Sequence, residues 1–209
     1  WHPDDRVFWE REGGRIALRN LALSVPALVL SFAVWTLWSV AVVYLPRAGF
    51  HFSPLQLFTL AALPALSGAA LRALHAFALP GAGGRLWTAV STACLLAPTV
   101  GLGIAVRDPA TEYATFAALA LLCGIGGGNF ASSMAHVATC FPASQRAFAL
   151  GLNAGMGNLG ISLAQFAVPL AVATGVFGAL GGAPQVDPAG TGAGVVWLQN
   201  AGFLWVPLI

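Results

Sequence analysis

The stretch LQLFTLAALPALSGAALRALHAFAL, residues 55–79, holds a single charged side chain, Arg72, in an otherwise apolar run. A helix needs about 20 apolar residues to cross the roughly 30 Å hydrocarbon core of a bilayer, so this run is long enough to span it. The pattern recurs on either side. Charges, prolines and glycines divide the chain into about six such segments, at roughly 21–45, 54–79, 86–106, 113–140, 147–180 and 195–209. Of the 209 residues 58% are hydrophobic and 8% charged. Soluble domains carry about a quarter charged residues, so no water-facing surface can be built from this composition. The expected fold class is an all-α integral membrane bundle embedded in the lipid bilayer. The chain opens at Trp1 without Met and reaches Ile209 inside an apolar run, so a fragment with a truncated sixth helix is expected.

The net charge of +2 comes entirely from arginine and is scattered, which excludes a nucleic-acid partner. Arg6, Arg11, Arg15 and Arg19 precede the first segment, Arg85 lies between the second and third, and Arg146 between the fourth and fifth. By the positive-inside rule residues 1–20 form a cytoplasmic N-terminal segment, with Arg47 and Arg107 on the other side. Residues 5–19 place Phe8, Trp9 and Ile16 among charges, as an interfacial helix does; a plain polar lead-in fits equally, because Gly13 and Gly14 oppose a helix. The Gly- and Pro-rich stretch 181–194, with Asp187, reads as an external loop. Cys94, Cys123 and Cys140 lie inside apolar runs and are odd in number, unlike a disulfide framework.

Every acidic residue falls in a loop or the N-terminal lead-in, so Arg72 has no intramembrane carboxylate partner in this sequence. Arginine at mid-membrane costs about 2.5 to 3.5 kcal/mol on insertion scales, so such residues face a cavity or mark a substrate path. The competing reading is an interfacial snorkel, since Pro80 is about 12 Å away at helical rise. Ala65, Gly68, Ala69 and Ala76 share the Arg72 face, whereas Leu63 and Leu74 lie opposite, and small residues pack against helices. A guanidinium without a counter-ion calls for an anionic ligand, and its planar fork suits a planar oxyanion.

Two polar stripes run along other segments. Asn129, Ser132, Ser133, His136 and Cys140 share one face of the fourth, and Gly151, Gly155, Asn158, Ser162 and Gln165 one face of the fifth. Interhelical hydrogen bonding and close packing explain most of these positions. Depth singles out a subset: Phe130 and Asn158 each lie about 18 Å from the cytoplasmic end of their helix, near the level of Arg72. There Asn158 can donate to an anion and an aromatic ring can wall its flat face. The glycines at 124, 126, 127, 128, 151, 155, 157 and 160 favour close backbone approach and sliding helices, and the segment lacks the strand and lysine of a phosphate loop. His136 and Cys140 offer two ligands without a third, so no metal or other cofactor is expected. His75, one turn after Arg72, is weighted towards packing, since a neighbouring cation favours the neutral ring. No acid reaches membrane depth to complete a Ser/His/Asp arrangement, so an enzyme is not expected.

The run GIGGGNFASSMAHVATCFPASQRAFALGLNAGMGNLG, residues 124–160, resembles the nitrate-signature region of the nitrate/nitrite porter family of the major facilitator superfamily. LAALPALSGAALR, ending at Arg72, resembles that family's second helix, and the likeness extends over nearly the whole chain. The resemblance implies a twelve-helix transporter of the cytoplasmic membrane, with nitrate or nitrite held between two six-helix bundles. This chain resembles the N-terminal bundle; the C-terminal six-helix bundle is the missing partner and would supply a second arginine. By the same resemblance Arg72 is similar to the substrate-clamping arginine, Phe130 to the aromatic packed on the anion, and Asn158 to the signature asparagine. The resemblance further implies that Ala154, one turn before Asn158, lines the site through its backbone. Between the second and third helices Gly81, Gly83, Gly84 and Arg85 lack the Asp usual in the superfamily, so no gating role is carried over. The function implied is alternating-access transport by nitrate/nitrite exchange or proton symport, with exchange favoured by the lack of buried carboxylates. An anion-binding sensor or scaffold, or a carrier of another small anion, are the alternatives.

Overall fold

A computed structural model describes residues 1–186 and 195–209, the side chains at 79 and 80 excepted. Among them are five helices long and apolar enough to cross a membrane: α1 (Arg6–Tyr44), α2 (Pro54–Ala82), α3 (Gly84–Ala105), α4 (Tyr113–Cys140) and α5 (Ala143–Ala173). After them come a single turn α6 (Gly178–Gly181), the two-residue strands β1 (Gln185–Val186) and β2 (Val195–Val196), and a short helix α7 (Asn200–Phe203). The strands pair antiparallel, with Gln185 opposite Val196. Of the expected external loop over 181–194, residues 187–194, Asp187 included, lie outside the described residues.

Three boundaries differ from the sequence reading, each for a local reason. The first helix starts at Arg6 rather than near 21. Asp5 caps it, its Oδ1 accepting from the Val7 and Phe8 N–H groups at 2.9 and 3.4 Å. Gly13 and Gly14 do not break it, because they make room for the Phe8 and Trp9 rings folded back over them. The lead-in is thus helical and docked: Trp9 packs on Phe141 at 5.8 Å, the Trp1 indole donates to the Thr139 carbonyl, and Asp4 accepts from the Ala143 N–H.

The fifth helix spans Ala143–Ala173 rather than 147–180. At its far end the Asn200 side chain donates to the carbonyls of Ala171 and Thr174, and the Trp197 N–H to that of Val172. Those bonds satisfy carbonyls that another helical turn would have needed, so Thr174 turns extended. The segment from 195 opens as a strand, forms α7 and tightens into a 3-10 turn at Val206–Leu208, where Pro207 has no N–H to bond back along the helix.

α2 packs chiefly on α4, and α1 on both α5 and α4. Glycines set the spacing. A Cβ on Gly126 would run into the Ser31 carbonyl, one on Gly160 into the Val29 carbonyl, and one on Gly124 into Ser67. These positions let two backbones touch, the usual source of cohesion where lipid removes the hydrophobic drive. Gly151 and Gly155, by contrast, meet nothing within 4 Å among the described residues. They lie on a face of α5 that this bundle leaves uncovered.

The apolar core divides into two parts. The larger cluster holds Leu37, Trp38, Leu60, Leu95, Leu102 and Phe116, with Phe50 edge-on to Phe116 at 4.9 Å. A smaller one holds Ala17, Leu21, Val137, Cys140, Phe141 and Ala149 at the opposite end. Between them lies a buried polar layer of Ser24, Ser31, Asn129, Ser132, Ser133 and Asn153. Replacing Gly126 or Gly160 by valine is expected to destabilise the full-length protein by about 1 to 3 kcal/mol, because the facing atoms are backbone and cannot rotate away. Thermal denaturation in detergent measures it.

Candidate functional site

Arg72 stands on the α2 face formed by Ala65, Ala69 and Ala76, all exposed in this bundle. The seam buried against α4 runs one step around the helix, through Leu60, Pro64, Gly68 and His75. From the edge of that seam the Arg72 side chain folds over α4. Its Nε donates to the Gly127 carbonyl at 3.3 Å, and its guanidinium carbon lies 5.4 Å from the centre of the Phe130 ring and 5.6 Å from that of Trp35. Both distances fall within the range of cation–π attraction. The side chain therefore turns to the bundle's uncovered face rather than along the helix towards its ends. Among the described residues the only ion pair is Arg6 with Glu10, on the lead-in, so no carboxylate neutralises Arg72.

Phe130 is half-buried and stacks on Phe32 of α1, with centroids 5.8 Å apart and an angle of 25°. Phe32 in turn tilts against Trp35 at 5.5 Å. Two rings from two helices, Trp35 and Phe130, thus lie beneath one guanidinium, and Phe32 packs against both of them. The Trp35 indole N–H donates to the Pro64 carbonyl at 2.8 Å.

Asn158 is exposed on α5, and its Nδ2 donates to the Ala154 carbonyl at 2.8 Å. Backbone of Ala154 therefore orients the asparagine amide. The structure brings Arg72 together with Phe130 and Asn158 together with Ala154; no hydrogen bond among the described residues links the two pairs. What spans them is α1. Its Leu28 and Val29 seat Gly157 and Gly160, which flank Asn158, while Phe32 and Trp35 one to two turns on reach Phe130 and Arg72.

The two polar stripes separate in their roles. That of α4 is turned inward and used for helix pairing: Asn129 Nδ2 donates to Ser31 Oγ at 2.8 Å, Asn153 Nδ2 to Ser133 Oγ at 2.9 Å, and Asn20 Nδ2 to Cys140 Sγ at 3.6 Å. The Trp87 indole donates to His75 Nδ1 at 3.3 Å, so His75 ties α2 to α3 as an acceptor. His136 lies 3.9 Å from Cys140 Sγ, and no third metal-ligating side chain joins them among the described residues. The α5 stripe of Gly151, Gly155, Asn158, Ser162 and Gln165 is exposed along its whole length.

Sequence reasoning missed Trp35, Phe32, Ser31 and Asn153. Trp35 had a signal, since tryptophan belongs to the membrane interfaces and an indole N–H at mid-span needs an acceptor. Asn153 had one too, being a polar residue in an apolar helix that the Asn158 stripe does not absorb.

Five long apolar helices packed at glycines, with Arg72 exposed and without a carboxylate partner among the described residues, define a multi-pass α-helical membrane protein. In sequence the chain is similar along its whole length to curated nitrate/nitrite transporters. It is 48% identical over 211 residues to "Nitrate/nitrite transporter NarU" of Escherichia coli K12 and 46% identical to that of Salmonella typhimurium LT2. It is 41% identical over 210 residues to "Probable nitrate/nitrite antiporter NarK2" of Thermus thermophilus. Each match covers 100% of this chain and 45 to 47% of the relative, so the chain spans a little under half the length of these curated proteins. No protein-family model matches the chain.

Removing the acceptor of the Asn129 amide with Ser31→Ala is expected to cost about 0.6 kcal/mol, the usual worth of a hydrogen bond between membrane helices. A drop of that order in the unfolding free energy of the full-length protein, measured in mixed micelles, checks it.

Proposed function

We propose that this chain supplies one half of a carrier that moves nitrate and nitrite across the cytoplasmic membrane by alternating access, with the N-terminus on the cytoplasmic side. The observation that carries the reading is the Arg72 guanidinium, held on aromatic rings at an uncovered helix face and without a carboxylate among the described residues. With Nε engaged on Gly127, its two terminal nitrogens remain to grip a flat anion through paired, charge-assisted hydrogen bonds. Phe130 covers the plane of that anion, because a ring rejects water and tolerates a delocalised oxyanion face. Asn158 spends one amide proton on Ala154 and keeps the other for a substrate oxygen. Ala154 thereby acts through its carbonyl, and the uncovered α5 stripe is the surface on which a second bundle closes. That bundle contributes the opposing half of the site, and rocking of the two halves exposes the anion to each side in turn. The names of the relatives, nitrate/nitrite transporters and an antiporter, support the substrate class.

Exchange is the coupling mode we favour. Proton-coupled carriers commonly bear intramembrane carboxylates, and the described spanning helices carry none apart from Glu10 and Glu12 in the lead-in of α1. Nitrate uptake by the full-length protein in proteoliposomes preloaded with nitrite is expected to proceed at the same rate with or without a pH gradient; uptake that requires the gradient overturns the exchange reading. Arg72→Lys keeps the charge and loses the fork, so nitrate affinity is expected to fall about tenfold or more, measured by titration calorimetry. Native affinity in that variant removes Arg72 from the site.

A further inference from the structure

We propose that Trp35 is the positioning residue of the anion site, the side chain that holds the Arg72 guanidinium in the pose from which it meets substrate; this rests on the reading of Arg72 given above. Three observations meet on this indole. Its ring lies 5.6 Å from the guanidinium carbon, a cation–π contact made from a different helix than the Phe130 contact. Its N–H donates to the carbonyl of Pro64 at 2.8 Å, on the same helix as Arg72, which fixes the ring's rotation relative to α2. And the ring occupies a slot cut by two glycines: a Cβ on Gly68 would come within 2.8 Å of the indole nitrogen, and one on Gly127 within 2.8 Å of the ring. Gly127 also supplies the carbonyl that takes the Arg72 Nε.

The physical logic is one of pre-organisation. An arginine side chain has many rotamers, and on an uncovered face nothing intrinsic selects among them; each would have to be given up when the anion binds. A ring at cation–π distance, itself locked by a hydrogen bond and a two-glycine slot, selects one in advance. It does so without a carboxylate, which would hold the guanidinium more firmly and compete with the anion for it. An aromatic tether restrains the cation and leaves its terminal N–H groups unspent. Trp35 itself touches no substrate in this scheme.

The test uses the full-length protein in detergent, titrated with sodium nitrate by calorimetry, with the thermal midpoint recorded for each variant. Trp35→Leu is expected to weaken nitrate about tenfold, the loss of one well-formed cation–π contact and the ordering it provides. Trp35→Phe keeps a ring while losing the N–H, and is expected to stay within about threefold of the native affinity. That rescue separates positioning from simple packing, because a packing role would make both variants fall in step with their thermal midpoints. Should Trp35→Leu fail to accumulate, Gly68→Ala, whose Cβ presses hardest on the indole nitrogen and less on the α4 backbone, is expected to weaken nitrate by more than its change in thermal midpoint accounts for. Native affinity in Trp35→Leu or in Gly68→Ala, with Arg72→Lys impaired, overturns the proposal and leaves the anion site standing. Equal losses in Trp35→Phe and Trp35→Leu also overturn it, assigning the effect to the bond with Pro64. Native affinity in Arg72→Lys overturns the site reading itself.

Discussion

Where Gly68 of α2 meets Gly124 and Gly127 of α4, two helix backbones lie in contact, and the rest of the candidate site follows from that approach. There the Arg72 side chain reaches a main-chain carbonyl of α4, that of Gly127, across the interface. The same gap admits the Trp35 indole edge-on. In lipid, where burying one apolar surface against another gains little over leaving it among acyl chains, close packing of small residues is the main source of cohesion. Placing the cation beside such a seam gives it rigid neighbours on one side and an uncovered face on the other.

The bundle's polar groups divide accordingly. Inward-turned amides and hydroxyls, Asn129 on Ser31 and Asn153 on Ser133, join helices between two apolar clusters and spend their hydrogen bonds on each other. Outward-turned ones, Arg72 and Asn158, bond only to main-chain carbonyls, Asn158 to one in its own helix, which leaves donors to spare. The distinction is chemical as well as geometric. A buried group that donates to a side chain on another helix serves stability, and one with donors left over on a surface can serve a ligand.

The lead-in helix extends the same economy to the end of the bundle. Asp4 receives the Ala143 N–H at the start of α5, and Trp1 donates to the Thr139 carbonyl near the end of α4. Helix termini carry unsatisfied main-chain groups, and here one on each side of the α4–α5 connection is met by a side chain from the N-terminal lead-in. A stretch rich in charge and glycine, ambiguous between interfacial helix and polar tail, thus became helical through tertiary contact.

By itself the sequence determined the solvent, the presence of long apolar helices, the isolation of Arg72 and its separation from every acid, because these depend on composition and on lengths of apolar run. Only the tertiary structure decided which stripe is buried. Period-3.6 spacing groups Asn129 with Ser132 and Asn158 with Ser162 in the same way, yet one stripe turns into the bundle and the other away, for the azimuth of a helix is set by what packs against it. For that reason Trp35, distant in sequence from Arg72, was not legible as its neighbour, and Asn153 passed unseen one helical turn and a fraction from the asparagine that was noticed. Contacts between helices depend on interlocking glycines from several segments at once, a property of pairs that no single run of residues records.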